Sequence, residues 1–489
     1  MIQTFGHHIG GAQAKSAGAA QFLTRNPING REWGQFATGS AADVDRAVMA
    51  ADAAFASWRQ LSASARGKLL IRWAEALRSN AERIGRMESI QNGKLLRESV
   101  GQAGALPDWL YYYAGLADKI EGAVIPLERP EVVNYTMREP LGVVAIITPW
   151  NSPAMLTIFA AAPALAAGNT IVIKPSEITS VSLIELARIA ESVGIPPGVI
   201  NVVTGLRETA ECLIDHPKVV KVAFTGSVEG GRAVAERAAR RLVGVTLELG
   251  GKSPQIVFAD ADLRQAQAGI LAGIFASAGQ TCVAGSRLFV QRRIHEEFLA
   301  GLIARAAKIR IGDPLAADTQ MGPVATLAQL EKNQRLTDEA VAHGATVLYG
   351  GKRMELAEYP GGYFFQPTIL GNLGRDNPIL AKEVFGPVLA VVPFEDEAEA
   401  LALANDSTFG LAAGVWTLDF RRAHRVARAI QAGTVWVNMY RTLGVNSPVN
   451  GLKHSGPGSQ NGQEAIHQYL QTKSIWNNFS EAVEDPFAA

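Results

Sequence analysis

Cysteine is scarce in this chain: Cys212 and Cys282 are the only two among 489 residues. They could form one disulfide at most, so a secreted disulfide framework is excluded and a reducing, cytoplasmic setting is expected. Neither sign of charge is in excess, with Lys plus Arg at 46 and Asp plus Glu at 46. That balance removes the global attraction on which binding to nucleic acid or acidic membrane relies, and recognition must be local. The stretch MIQTFGHHIGGAQAKSAG lacks the charged start and continuous apolar core of a secretory signal. Internal repeats, low-complexity tracts and Pro/Gly/Ser linkers are missing too, and no metal site is expected. The nearest approach to a long hydrophobic run is SPAMLTIFAAAPALAAGNTIVI at 152–173, uncharged over a bilayer-spanning length. Pro163 and Gly168-Asn169 cut it into a buried helix and an interior strand, so no membrane partner is expected.

What is present is alternation. Residues 41–58 and 65–91 carry helical spacing, with Asn92-Gly93 as a stop. From Leu141 onward, GVVAII, NTIVIK, GVINVV, VVKVAF and VGVTLEL are short apolar runs, each pair separated by enough chain for one helix. Near-continuous Val/Ile strands with helical crossovers predict an α/β fold, its parallel sheet covered on both faces and its ligands at the carboxyl ends of the strands. A second alternation starts at Ser286: RLFVQ, a helix through HEEFLAGLIARAAKIR, ATVLYGG, VLAVVPF, a helix over 395–405, and GVWTL. Length alone predicts two or three domains. VIPLERPEVVNYTMREPLG reads as an extended two-stranded arm and TKSIWNNF as a further strand. An exposed strand pair needs a partner, so arm and tail are expected to meet a neighbouring subunit.

Five stretches can carry chemistry. In AIITPWNSP, Asn151 follows a strand end and is either a turn residue or an oxyanion donor. In IVIKPSE, Lys174 and Glu177 bracket a proline and could face a ribose, the carboxylate accepting from a 2′-hydroxyl and repelling a 2′-phosphate. In VAFTGSVEGGR, Gly226 and Ser227 open a helix whose free N–H groups suit phosphate, a weak signal by itself. In TLELGGKSP, Glu248 interrupts an apolar strand, where burial would raise its pKa toward that of a general base. In GQTCVAGSR, Cys282 lies between Gly279 and Gly285, after a helix expected to end near Gln280. It is either a small buried hydrophobe or a reactive thiol.

Together with YYAGLADK, PALAAGNTIVIKPSE, MGPV, EVFGPV, FGLAAGVWT and WVN, these motifs resemble, from about Pro27 to Trp476, the aldehyde dehydrogenase superfamily. The resemblance implies a Rossmann-like dinucleotide domain over 1–121 and 141–249, and a catalytic α/β domain over 250–448. It also implies an oligomerisation arm and tail, 122–140 and 470–489, that build a homodimer or homotetramer. It further implies oxidation of an aldehyde to its acid with NAD, NADP being less favoured. Cys282 would be the nucleophile and Glu248 the base, while Asn151 and the Cys282 N–H would hold the oxyanion. Lys174 and Glu177 would face the adenine-side ribose, Trp150, Gly226 and Ser227 the pyrophosphate, Glu383 and Phe385 the nicotinamide end, and Gln329 a further part of the cofactor.

Several positions depart from the superfamily pattern. Phe159-Ala160 and Ser459-Gln460 stand where many relatives read Trp-Lys and Arg-Glu, so the base is expected to discharge its proton through water or another route. Ser152 replaces a common channel phenylalanine, and PVNG at 448–451 a common PFGG, which suggests a polar or wider aldehyde, including a semialdehyde. Arg287 and Arg441 could anchor a carboxylate at the mouth, although an ordinary salt bridge or a solvated arginine is the commoner fate. Cys212 is expected to pack. Two other classes compete: a catalytically silent dinucleotide-binding structural protein and an NAD-independent thiol esterase.

Overall fold

The computed structural model describes residues 2–481 and 486–487; the parts of the expected tail at 482–485 and 488–489 lie outside the described residues. Five parallel strands form the middle of the first sheet: β1 (Val143–Ile147), β2 (Thr170–Lys174), β3 (Ile200–Val202), β4 (Val219–Thr225) and β5 (Gly244–Glu248). Their spatial order is β5-β4-β1-β2-β3, and the antiparallel strands His7–Ile9 and Ala12–Ala14 extend the β3 edge. The chain therefore moves outward from β1 to β3 and then crosses back to build β4 and β5. The strand order reverses between β1 and β4, which opens a crevice at their carboxyl ends.

Alternate side chains of β1 supply two cores. Val144 and Ile146 pack with the helices Pro153–Ala167 and Val181–Ser192, whereas Val143, Ala145 and Ile147 pack with Ala41–Trp58, Arg207–Asp215 and Val228–Ala239. A strand buried on both faces has no polar side to show, hence the unbroken Val/Ile runs. The apolar stretch 152–173 is this core: its helix is almost wholly buried and β2 completely so. Among the described residues no helix is long and apolar enough to cross a membrane.

The helical opening has four members, Ala41–Trp58, Ala63–Ser79, Ala81–Asn92 and Leu96–Leu116. The helix expected over 65–91 is broken at Asn80, and Gly93 (φ 76°) ends the third helix at the expected stop. Trp58 Nε1 donates to Leu165 O and Trp73 Nε1 to Leu186 O, tying these helices to those behind the first sheet.

The second sheet runs Thr346–Tyr349, Thr368–Gly371, Val388–Phe394, Arg287–Gln291, Pro254–Val257, Ala412–Trp416 and Thr434–Val437, parallel except for its first member. Beyond Val437 the chain returns to the first sheet. There Ile466 and Tyr469 join the core around the helix Pro153–Ala167, and Val449–Asn450 pairs with Ser459–Gln460.

Arm and tail form one sheet. Val132–Pro140 pairs on one side with Val124–Ile125 and on the other with Leu470–Asn478, so arm and tail take each other as partners within one chain. Arg287 lies away from the two cavities that reach Cys282 and cannot anchor a carboxylate at their mouth. It is buried in the second sheet and donates to the backbone oxygens of Lys252, Leu403, Ala404 and Asp406 at 2.8–3.1 Å. Replacing it strands four carbonyls at once. Arg287→Met is therefore expected to lower stability by about 3 kcal/mol or more, read as a lower urea midpoint, and an unchanged midpoint would contradict this role.

Candidate active site

At the carboxyl end of β1 the chain turns through Trp150 and Asn151 before Pro153 starts a helix. Three polar contacts hold that turn. Asn92 Nδ2 donates to Trp150 O (3.1 Å), Ala154 N–H donates to Glu88 Oε1 (2.9 Å), and Asn151 Nδ2 donates to Gln280 O (3.1 Å). The last bond ties the turn after β1 to the segment that presents Cys282.

That segment does not begin as the sequence suggests. The helix Leu263–Phe275 stops short of Gln280, and Ser277, Ala278 and Gly279 adopt left-handed φ values of 54°, 51° and 72°. Two consecutive non-glycine residues in that region are costly and need outside support. The Glu98 carboxylate supplies it, accepting from Ser277 N–H (3.2 Å) and Ser277 Oγ (3.0 Å). Nothing near Cys282 in the sequence points to Glu98.

Glu248 ends β5 and is followed by two glycines with separate steric reasons. A Cβ on Gly250 would overlap the Glu383 carboxylate, and one on Gly251 would come within 2.5 Å of Cys282 O. Their absence lets the cysteine loop and Glu383 close on the end of the strand, and Gly251 N–H donates to Glu383 Oε1 (2.9 Å). Glu248 is 6% exposed, its Oε1 has no hydrogen-bond partner, and burial pushes its pKa up to about 8. The Cys282 thiol is pushed up to about 11, first by burial and then by the charges of Glu383 and Glu248. At neutral pH both groups rest in their neutral forms.

Two cavities meet at these residues. The larger, about 490 Å³, is lined by Asn151, Glu248 and Cys282 together with Ser152, Arg441 and Gln460. The smaller, about 170 Å³, shares Asn151, Glu248 and Cys282 and adds Trp150, Gly226, Ser227, Gln329, Glu383 and Phe385. Trp150 and Phe385 meet edge to face at 5.4 Å across it, Phe385 at φ 58°. The Gln329 amide is already engaged, donating to Val384 O and Asn333 Oδ1. Lys332, which the sequence reading passes over, also lines this cavity.

Lys174 and Glu177 line neither cavity. They sit at the carboxyl end of β2, where buried Lys174 Nζ is 3.8 Å from the Glu177 carboxylate, and Glu177 borders a separate hollow beside residues 325–328. Arg441 does reach the larger cavity, held by the carbonyls of Ala272 and Ala276. Ala160 is core, and Phe159 stacks on Trp109 at 4.7 Å. The family model described as the aldehyde dehydrogenase family matches residues 14–475.

The chain belongs to the aldehyde dehydrogenase family. It is 44% identical over 475 residues, 96% of either chain, to (Z)-2-((N-methylformamido)methylene)-5-hydroxybutyrolactone dehydrogenase of Acinetobacter baylyi. Its fold matches a betaine aldehyde dehydrogenase from Staphylococcus aureus in complex with NAD+ (TM-score 0.97, 38% identity, 99% of this chain and 97% of that one). PnpE in complex with nicotinamide adenine dinucleotide is similar as well (TM-score 0.96, 40% identity, 99% of both chains). Like these relatives by family, the protein is an aldehyde-oxidising enzyme on the aldehyde dehydrogenase fold. Among the described residues no group of His, Cys, Asp and Glu could hold a metal ion.

Because burial holds Cys282 as a thiol, alkylation by iodoacetamide in the cofactor-free protein is expected to be slow at pH about 7 and to climb steeply toward the Cys282 pKa of about 11. Mass spectrometry of the labelled peptide reads this directly. A rate already at plateau near pH 8 would contradict the neutral resting thiol.

Proposed function

We propose that this aldehyde dehydrogenase oxidises its substrate to the carboxylic acid with NAD+, through an acyl thioester on Cys282 that water, activated by Glu248, hydrolyses. The observation that carries this reading is one thiol at the junction of two cavities, each also bordered by Asn151 and Glu248. The larger suits the aldehyde and the smaller a cofactor. A thiol esterase would have no use for the second.

The residues at the strand-order reversal fit a dinucleotide. A Cβ on Gly226 would come within 2.5 Å of the Phe224 ring, so the backbone there stays bare. Ser227 accepts from Gly230 N–H through Oγ and from Gly231 N–H through its carbonyl, which leaves the two preceding N–H groups of the helix for an outside acceptor such as a pyrophosphate. Trp150, Gly226 and Ser227 would hold the pyrophosphate, Glu383, Phe385 and Gln329 the nicotinamide end, and Lys174 and Glu177 the far ribose. The Glu177 carboxylate favours a 2′-hydroxyl over a 2′-phosphate, hence NAD over NADP. The NAD+ complexes of the two structural relatives support the same choice. When bound, the nicotinamide supplies the acceptor for the hydride lost as thiohemiacetal becomes thioester.

The chain's own groups do the rest. As the sulfur adds to the carbonyl carbon, its proton must go to a base, and the ionised fraction of Glu248 is the carboxylate at hand. The oxyanion then meets the Asn151 amide and the Cys282 N–H; losing one such donor costs about 10²- to 10³-fold. Asn151 Nδ2 has one hydrogen on Gln280 O and a second to give. Glu248 must first release the thiol proton to solvent; after the thioester forms, its carboxylate takes a proton from the water that adds to the acyl carbon, and the thiolate leaves as the C–S bond breaks. Among the described residues no cation shifts its pKa, and each proton leaves through solvent in the cavity that Gln460 borders.

A homo-oligomer, dimer or tetramer, is supported by the exposed Val124, Met137, Trp476 and Phe479 along the three-stranded arm. Both cysteines are unpaired, in keeping with a cytoplasmic setting.

NADH absorbance tests the whole scheme. Cys282→Ala should abolish it, and Glu248→Gln, which removes the base from both steps, should form the first NADH slowly, give no more than about one per active site, and stall as a thioester visible by mass spectrometry. Steady turnover by Glu248→Gln would overturn the role of base. Because the base must be ionised, wild-type turnover limited by hydrolysis should rise with pH through about 8, the pKa to which burial lifts Glu248. Glu177→Ser should cut the NAD:NADP ratio of kcat/KM about tenfold, or about 1.4 kcal/mol; an unchanged ratio would remove Glu177 from cofactor choice.

A further inference from the structure

A buried lysine lies behind the wall of the larger cavity, and its bonds decide which way two cavity side chains face. Lys94 is 5% exposed, and its Nζ donates to Ser152 Oγ and to Gln102 Oε1, each at 2.7 Å. Ser152 and Gln102 both border the cavity that reaches Cys282. Burial draws Lys94 down to about 8 against the opposing charges of Glu88 and Glu98, so at neutral pH it remains an ammonium.

An ammonium can only donate. Ser152 Oγ accepts from it and so has its own O–H to give. Gln102 must turn its carbonyl oxygen toward Lys94, which leaves its NH₂ on the other side. Among the described residues neither the Ser152 O–H nor the Gln102 NH₂ has another side-chain or backbone acceptor. Of the carboxylates along the wall, only Glu248, beside Cys282, keeps an oxygen without a partner. The Glu98 carboxylate is taken up by Ser277, while Arg97 and Arg441 keep donors and positive charge beside the cavity.

We propose that Ser152 and Gln102, oriented by Lys94, form a donor pair for an oxygen acceptor on the substrate, making the enzyme selective for aldehydes that bear an amide, lactone or carboxylate oxygen. The proposal rests on the reading that the larger cavity admits the aldehyde to Cys282. It also sets this cavity against quaternary ammonium aldehydes. The stacked Trp109 and Phe159 offer such a cation aromatic faces, but Glu98 is taken up by Ser277, burial keeps Glu248 mostly protonated at neutral pH, and arginines stand beside the cavity. Ser152 and Gln102 are specificity residues, and Lys94 is a positioning residue.

The test compares kcat/KM for 4-oxobutanamide, 4-oxobutanoate, pentanal and betaine aldehyde in the wild type, Ser152→Ala and Gln102→Leu. Wild type should favour both oxygenated aldehydes over pentanal by about tenfold or more, with betaine aldehyde poorest. Each substitution should lower the amide-to-pentanal ratio about three- to tenfold, chiefly through KM. A preference for pentanal or betaine aldehyde, or ratios untouched by both substitutions, would overturn the proposal. Preference for the carboxylate alone, insensitive to both substitutions, would assign recognition to the arginines and overturn it too. Calorimetry with the unreactive succinamide separates this outcome from a failure of the oxidation scheme. Binding weakened in both variants supports the donor pair even if no aldehyde gives NADH, and equal binding in all three proteins refutes it.

Discussion

The cysteine loop and Glu383 approach Gly250 and Gly251 more closely than any side chain would allow, and the site depends on that approach. Glu248 is the last residue of β5, and the second sheet starts at Pro254. In the short link between them, a Cβ on the first glycine would strike Glu383 and one on the second would crowd Cys282 O. The connection between the sheets is therefore also what sets base, thiol and Glu383 against one another. Glycine's missing side chain, more than its freedom of φ, is the property used there: neither glycine has a positive φ.

The same closeness explains the electrostatics. Withdrawing Glu248 almost wholly, and Glu383 and Cys282 in part, from water in one small volume disfavours every charged form, and each group's pKa rises, with desolvation as the largest cause. A site built this way rests neutral and gains charge only as chemistry proceeds, when fixed donors such as the Asn151 amide can meet it. The larger cavity extends this logic outward. There Glu98 is already occupied in holding the strained turn before Cys282, so away from Glu248 the side chains that Lys94 orients present donors to a ligand.

Much of this was legible in the residues. The Val/Ile runs announced the parallel strands because burial on both faces leaves no polar position in them, and Glu248 stood out as a charge in such a run. Pro254–Val257, Thr368–Gly371 and Thr434–Val437 escaped notice because a four-residue run has little period and none of these is followed by the double glycine that sets off Thr346–Tyr349. The arm's strands were visible, but their pairing with Leu470–Asn478 was not, since a strand edge does not encode which partner fills it. Lys94, Glu98 and Gln102 look in sequence like the polar face of an ordinary helical region. Arg287 shows the reverse: a residue with the chemistry of an anion site is consumed by backbone carbonyls.

By itself the sequence determined the kinds of chemistry available and the order in which they occur: a thiol, a carboxylate at a strand end, an amide after another strand, and motifs whose succession matches one family. Those are properties of residue type and local pattern, and they survive without coordinates. Tertiary structure alone decided which groups share a cavity, which are neutralised by burial, and which donors remain free once the backbone has claimed its share. Such outcomes are set by distance and desolvation between segments far apart in the chain, and no local pattern carries that information.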